Sequence, residues 1–209
     1  MSARAPGTRD EAPRRRPLLR HPFRRKTTKP RTFAIYAIGA AALWFARPQL
    51  ALFAPGLLLV ATGQALRLWA TGYLIKTDEL TVVGPYAHLR HPLYLGALLV
   101  GSGFALMSGP GVARVVLPLG IAFFFGYYLR YKERVEAERL DALYGDEFRA
   151  YRAAVHALWP RLRAWRPRPP GETAHWRLDR VLENDEQTAL AYVIAATVAL
   201  AAIGWLRST

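Results

Sequence analysis

Five stretches of the chain contain no Asp, Glu, Lys or Arg, and the charge is concentrated between them. These stretches are residues 32–46, 48–66, 92–113, 115–129 and 187–206. A helix that crosses the hydrocarbon core of a bilayer needs about 20 mainly apolar residues. The longer stretches meet that requirement, and the two shorter ones are flanked by arginines whose apolar stems can reach the interface. The pattern predicts an all-α integral membrane protein with about five transmembrane helices.

The distribution of cations predicts the orientation in the membrane. The chain has a formal net charge of +14. Residues 1–31 contain the runs RRR and RRK, and residues 130–186 are also highly charged, whereas the loops 46–49 and 108–111 are nearly neutral. Basic segments next to spanning helices stay in the cytoplasm. We therefore expect a multi-pass protein with a cytoplasmic N-terminus and active site, in the inner membrane if the source is bacterial.

The expected domain organisation follows the same division. Residues 1–31 have no apolar core, so they are predicted to be a basic cytoplasmic tail and not a signal peptide. The tail could contact anionic lipids, and no nucleic-acid partner is expected. A membrane core (32–165), a Pro-rich linker with a polar segment (166–186) and a last transmembrane helix (187–209) follow. Within the core, the second helix is expected to continue to about residue 75, and the helix after residue 129 to stop at Gly145. A second amphipathic helix is expected next, with one apolar face formed by Phe148, Tyr151, Val155 and Leu158. The chain contains no cysteine, which excludes thiolate metal ligands, and no metal site is predicted.

The stretch GPYAHLRHPLYLG is a polar segment at the start of the third apolar helix. Pro92 suits the first helical position, which makes His91 the cap. Arg90 and His91 would therefore lie beside free N–H groups that favour a carboxylate or phosphate. Tyr94 lies on the first turn, and Gly96 leaves room for close approach to the backbone. The alternative is an interfacial belt of Arg, His and Tyr, which is common at membrane ends.

Two further charges stand among apolar residues. Glu136 shares a helical stripe with Leu129, Leu140 and Leu143, so its carboxylate needs a cation or a hydroxyl partner. The alternative is a surface glutamate beside an imperfect apolar stripe. Arg67 interrupts the second helix, and an ionisable group in a span is a functional candidate. The alternative there is an arginine that reaches the cytoplasmic interface.

Three motifs together resemble a known family. The segments GQALRLWA, ELTVVGPYAHLRHPLYLG and EAERLDALYGDEFRAYRAAVHALWP have the order and spacing of the isoprenylcysteine carboxyl methyltransferase and phospholipid methyltransferase superfamily. The resemblance covers residues 63–160, about half of the chain. The sequence departs from the family at Ala137, where a second Glu is usual, at Tyr144 in place of Phe and at Phe148 in place of Tyr.

The resemblance implies a fold, a cofactor and a reaction. It implies S-adenosylmethionine in a pocket that cytoplasmic amphipathic helices complete, and direct in-line methyl transfer to a lipophilic acceptor such as an isoprenoid-type carboxylate. The cofactor-binding residues that it implies are Tyr86, Arg90, His91, Pro92, Tyr94, Gly96, Glu136 and Tyr144. Glu136 and Arg67 are the catalytic candidates.

Several alternatives stay open. Within the family, the acceptor could be an ethanolamine-type phospholipid or a thiol. Membrane sterol-type reductases that use NADPH share an R-H-P-N-Y motif, but Leu93 stands where they have Asn. A non-catalytic membrane protein that recruits anionic lipids through residues 1–31 is the third alternative. Of these, the sequence favours the methyltransferase.

Overall fold

The computed structural model describes residues 30–75, 80–166 and 175–207. The chain divides into two compact units, residues 1–37 and 38–209. In the first unit, the described part is the beginning of a helix from Pro30. Most of the predicted basic tail lies outside the described residues.

The described residues are helical and contain no strand. A single 3₁₀ turn, Gly84–Ala87, precedes the third helix, and a π turn, Phe124–Tyr128, joins the fourth helix to the fifth. The α-helices are α1 (Pro30–Phe45), α2 (Leu50–Thr71), α3 (Pro92–Met107), α4 (Pro110–Phe123), α5 (Leu129–Ala154), α6 (Leu178–Glu183) and α7 (Glu186–Leu206).

Three of the described helices are long and apolar enough to cross a membrane. They are α2 with 22 residues, the continuous run Pro110–Ala154 with 45 and α7 with 21. Helix α3 is apolar but has 16 residues, which rise about 24 Å against a hydrocarbon core of about 30 Å. The chain is therefore an all-helical membrane protein by length and composition, and the expected number of five spans stays a prediction.

The helix bounds differ from the predicted ones at two places. Helix α2 ends at Thr71, although the apolar pattern predicted a helix to about residue 75. The fourth helix does not stop at Leu129, because the π turn carries the backbone directly into α5. The predicted stop at Gly145 is present as a break inside α5, where φ is 49° and ψ is −121°.

The amphipathic face predicted after Gly145 forms a small core. Phe148, Tyr151 and Val155 are buried there with Val82 and Ala137. Burial of this face turns the second half of α5 back towards the segment before α3. A core of this kind fixes the position of the polar residues on either side of it.

The segment 166–186, predicted as a Pro-rich linker and a polar segment, is described at residue 166 and from residue 175 onwards. Residues 167–174 lie outside the described residues, but α6 and the segment before it contact the end of α2. The Arg177 N–H donates to the Gly72 carbonyl at 3.0 Å, and the Asn184 amide donates to the Thr71 and Leu74 carbonyls at 3.3 Å each. These bonds hold α6 and the segment before it against the turn that ends α2.

Candidate functional site

A cleft of about 420 Å³ opens between the segment before α3 and both halves of α5. We call it the cleft. Its walls are formed by Leu74, Ile75, Leu80, Thr81, Tyr86, Arg90, His91, Glu133, Glu136, Ala137, Arg139, Leu140, Leu143, Tyr144, Phe148 and Tyr151. Among the sequence-predicted residues, Tyr86, Arg90, His91, Glu136 and Tyr144 are in its walls, whereas Arg67, Pro92, Tyr94 and Gly96 are not.

Backbone hydrogen bonds hold the polar stretch before α3 against the chain after α5. The N–H groups of Arg90 and His91 donate to the carbonyls of His156 and Ala157, each at 2.9 Å. The Tyr151 hydroxyl donates to the Tyr86 carbonyl at 2.7 Å. Residues that lie about 65 positions apart are thereby brought to one wall of the cleft, which no pattern in either segment predicts.

Arg90 is held by two acceptors. Its Nη2 donates to Glu133 Oε1 at 2.5 Å and its Nε to the Val155 carbonyl at 2.9 Å. The pair with Glu133 is partly buried, so the charge of the guanidinium is largely balanced before any ligand enters. Arg90 therefore serves first to fix α5 against the start of α3.

Glu136 lies beside a hydroxyl and an imidazole. The Tyr94 hydroxyl donates to Glu136 Oε2 at 3.1 Å, and His91 Nδ1 is 3.8 Å from the same oxygen. The His91 and Tyr94 rings stack with their centroids 5.0 Å apart. These three side chains form one group, which gives the carboxylate the hydroxyl neighbour that its apolar stripe requires. Their role in binding a ligand stays a prediction.

Two buried polar atoms at the cleft have no partner among the described residues. They are His91 Nε2 and the Tyr86 hydroxyl oxygen. Burial lowers the pKa of His91, and the Arg90 charge lowers it further, although Glu136 and Glu133 oppose the shift. Burial also raises the pKa of Tyr86 well above its ordinary value, with the Tyr151 phenol and the Glu136 charge adding to it. A buried polar group without a partner costs free energy, so these atoms indicate where a polar ligand would bind.

Arg67 does not line the cleft but forms an ion pair with the buried Glu186. Its Nε and Nη2 donate to the two carboxylate oxygens of Glu186, each at 2.8 Å. The Gln64 amide donates to the same carboxylate at 2.9 Å. The arginine is about a quarter exposed and joins α2 to the start of α7, while the alternative that it reaches the cytoplasmic interface stays open.

Gly96 lies at the contact between α3 and α2, and Pro92 lies at the start of α3. A Cβ on Gly96 would lie 2.8 Å from the Gly63 carbonyl oxygen and 2.6 Å from Cγ of Arg67. The close approach that the sequence predicted at Gly96 is thus made by α2. Pro92 is buried at the first position of α3, where its missing N–H is not needed.

Sequence reasoning missed Glu133 and Glu186. Glu133 lies three positions before Glu136 on the same face of the helix. This spacing could have predicted that Glu133 also faces the segment before α3 and pairs with its cation, Arg90. Glu186 is the acid at the start of the last apolar helix, and an acid in that position is a candidate partner for an arginine within another span. In the described residues no group of three or more His, Asp or Glu side chains could hold a metal ion.

Two curated proteins are similar to about half of the chain. One is the cobalt-zinc-cadmium resistance protein CzcN of Cupriavidus metallidurans, 32% identical over 113 residues, which are 53% of this chain and 50% of CzcN. The other is the nickel-cobalt-cadmium resistance protein NccN of Alcaligenes xylosoxydans xylosoxydans, 29% identical over 118 residues, 56% of this chain and 53% of NccN. The chain spans about half the length of the curated relatives it matches.

These relatives correct the functional identification made from the motifs. Both are named for resistance to metals and neither for methyl transfer. No family model matches the chain, and no solved structure does. The prediction of a membrane methyltransferase of the isoprenylcysteine type, with lipid modification as its role, is therefore contradicted, and its alternatives gain no support. What the comparisons and the helices support together is a membrane protein with relatives in metal resistance.

Proposed function

We propose that this protein contributes to resistance against divalent transition-metal ions of the cobalt, nickel, zinc and cadmium group, as a membrane protein. The observation that carries the proposal is the similarity to CzcN over 113 residues at 32% identity. The similarity to NccN, whose name includes cobalt, cadmium and nickel, supports the same class of ion. Each match covers about half of the relative. The role of the relatives is therefore assigned to this chain only as a proposal.

The geometry supports a ligand-dependent role at the cleft. The described part of the chain offers an open cleft with largely apolar walls and two unpartnered polar atoms, at Tyr86 and His91. Such a space binds a small molecule that has both an apolar portion and a few polar groups. We infer that resistance requires a ligand in the cleft.

S-adenosylmethionine is the ligand that the sequence analysis proposed, and it stays a proposal about binding alone. The unpartnered Tyr86 and His91 atoms and the Glu136 carboxylate would meet its polar groups, and Leu140 and Phe148 would meet its flat apolar ring. Isothermal titration of the detergent-purified protein tests it. Binding that is lost in Glu136→Gln supports the proposal, and absence of heat from a folded sample contradicts it.

We also propose five spans, with the cleft and the tail 1–31 on the cytoplasmic side of the inner membrane. The support is the positive charge of those segments and the rule that basic segments remain inside. Lipid contact by the tail belongs to the same proposal.

Growth in the presence of metal tests the main proposal. A strain without the gene, complemented with wild type or variants, is grown over a series of cobalt, nickel, zinc and cadmium salts. We expect wild type to restore tolerance to at least one metal and His91→Ala to fail at equal protein level. Arg149→Gln, which alters an exposed ion pair at a residue that does not line the cleft, is the matched control. Unchanged tolerance of the deletion strain to all four metals would overturn the proposal.

A further inference from the structure

A second open space lies between α3 and α4, and we call it the groove. It has a volume of about 320 Å³ and lies between residues 97–102 of α3 and residues 116–128 of α4 and the π turn. Its walls are apolar apart from Ser102 and the Tyr128 hydroxyl. The α3 residues that line it lie on the helix face opposite Gly96 and Gly103, which contact α2.

The glycines of α3 serve two different purposes. A Cβ on Gly103 would lie 2.5 Å from the Gly56 carbonyl oxygen, so this glycine permits close packing of α3 on α2. A Cβ on Gly101 or on Gly120, which face each other's helices across the groove, would meet nothing within 4 Å. Glycine is a poor helix former, and helix packing does not explain these two. Their effect is to keep the groove open.

The longer wall of the groove is comparable in length to one bilayer leaflet. From Val116 to Tyr128 the helical rise is about 18 Å, and half of the hydrocarbon core is about 15 Å. The large apolar side chains beside it, Leu119 and Phe123, are mostly exposed, as expected of a surface that faces lipid chains and not water.

Positive charge follows the groove at one end. The Tyr128 ring contacts the edge of Tyr94 with centroids 5.7 Å apart. In the next turn come Arg130, Lys132 and Arg134, none of which has an ion-pair partner among the residues described. Lys132 lies four positions after Tyr128 and therefore continues the face that lines the groove.

We propose that the groove binds one acyl chain of an anionic glycerophospholipid from the surrounding bilayer, with its phosphate at Lys132. The apolar walls and the leaflet length select the chain, and the unpaired cations at the end of the groove select the negative headgroup. The inference is independent of the metal-resistance proposal, since it rests on α3, α4 and the start of α5 alone.

Native mass spectrometry of the full-length protein in detergent tests the chain site. The probe is palmitoyl-oleoyl-phosphatidylglycerol, added in equal amounts to each variant. We expect wild type to retain one lipid and Gly101→Leu and Gly120→Leu to retain at least tenfold less, because leucine fills the groove. Both substitutions favour the helix, and circular dichroism verifies folding. Gly111→Leu is the matched control, since a Cβ there also meets open space but outside the groove.

A second comparison tests the headgroup. Wild type should retain phosphatidylglycerol at least fivefold better than phosphatidylcholine of the same chains. Lys132→Gln should remove that preference. Arg134→Gln makes the same change of charge about 200° around the helix and should leave the preference intact.

Three outcomes would overturn the proposal. The first is equal phosphatidylglycerol retention in the two groove variants and in wild type. The second is equal retention of both lipids by wild type, which excludes selection of an anionic headgroup. The third is a dimer without lipid that is lost in Gly120→Leu, which would make the groove an interface between two copies of the chain.

Discussion

The imidazole of His91 is constrained on several sides. It is 8% exposed, stacks on Tyr94 and stands between the Arg90 cation and the Glu136 carboxylate. Its Nδ1 faces Glu136 at 3.8 Å, while its Nε2 has no partner. Burial and the Arg90 charge therefore lower the pKa of His91 and favour its neutral ring, against the opposing charges of Glu136 and Glu133.

The lowered pKa of His91 predicts acid sensitivity. Above pH 6.5, the ordinary value for histidine, the ring is neutral in both states and contributes nothing. As the pH falls through about 6.5, the unfolded chain binds a proton that the folded chain does not, so the free energy of unfolding decreases by up to about 1.4 kcal/mol per pH unit until the lowered pKa is reached.

The measurement is unfolding in mixed micelles between about pH 5 and pH 7.5. His91→Gln should show a shallower loss of stability with falling pH than wild type. His175→Gln, which removes an exposed imidazole, is the control and should follow wild type. Identical pH profiles for all three proteins would contradict the prediction.

The Arg67–Glu186 pair is the second charged group with a defined role. Glu186 is 3% exposed, and both of its oxygens accept hydrogen bonds from Arg67. Removing one partner of a buried pair leaves the other charge without compensation. We expect Glu186→Gln to lower the free energy of unfolding by about 3 kcal/mol.

The double variant Arg67→Met, Glu186→Leu should lose less stability than either single variant, because neither charge is then left buried alone. Asp141→Asn, which breaks the exposed pair with Arg149, should change the free energy of unfolding much less than Glu186→Gln, because exposed ion pairs contribute little. Denaturant unfolding of wild type, the double variant, its two single variants Arg67→Met and Glu186→Leu, and Asp141→Asn tests this expectation. Additive single effects in the double variant would show that the pair is not coupled.

At the scale of helices, the close contact between α2 and α3 depends on glycines, which have no side chain. Gly56 and Gly63 of α2 lie against Gly103 and Gly96 of α3, with a Cβ on any of them within 2.8 Å of a backbone oxygen. Without a hydrophobic driving force in lipid, close backbone packing of this kind is a main source of helix association. The seven-residue spacing on both helices keeps the four glycines on one seam.

Two glycines on α3, two positions apart, provide a matched test of this packing. Gly103→Ala places a methyl group 2.5 Å from the Gly56 carbonyl oxygen and should cost about 1–3 kcal/mol. Gly101→Ala meets open space and should be neutral or stabilise by up to about 1 kcal/mol. Thermal unfolding of both variants in one detergent checks the difference, and equal effects would contradict the seam.

Helix α5 shows how one residue redirects an element. Gly145 has φ of 49° and ψ of −121°, a conformation that strains any residue with a side chain. The break sends Phe148 and Tyr151 into the core beside Val82. Without it, the second half of α5 would continue away from the cleft.

At the scale of the whole molecule, the chain has no native cysteine, which allows single cysteines to report topology. Arg139 lies at the cleft, and the exposed Gln49 lies between α1 and α2. If the cleft is cytoplasmic, Arg139→Cys should react with a membrane-impermeant maleimide only after cells are opened. Gln49→Cys should react in intact cells, and reversed labelling would contradict the proposed orientation.

Hydropathy and single residues predicted much of the architecture. The apolar runs predicted α2, α3 and α7, Pro92 marks a helix start, and Gly145 marks the break. Each of these depends on local chemistry: apolar length, a missing N–H or a missing Cβ. The continuity of α4 with α5 was not predictable, because a π turn depends on how the surrounding side chains pack.

The motifs contain residues that do lie together at the cleft, but the function inferred from the same motifs is wrong. Residues such as Tyr86, His91 and Glu136 are brought together, but the methyltransferase inferred from the same motifs is contradicted by the named relatives. The physical reason is that Pro, Gly and Tyr at these positions build a helix start and a wall. Different functions can use the same scaffold.

By itself, then, the sequence determined an all-helical membrane protein, the starts of its helices and the polar stretch before α3. Only the tertiary structure decided the partners of its charges. Arg67 pairs with Glu186, Arg90 with Glu133 and Tyr94 with Glu136, across separations of 42 to 119 residues. A hydropathy pattern depends on near neighbours, whereas an ion pair depends on which distant helices pack together, and that is set by the glycine seam and the break in α5.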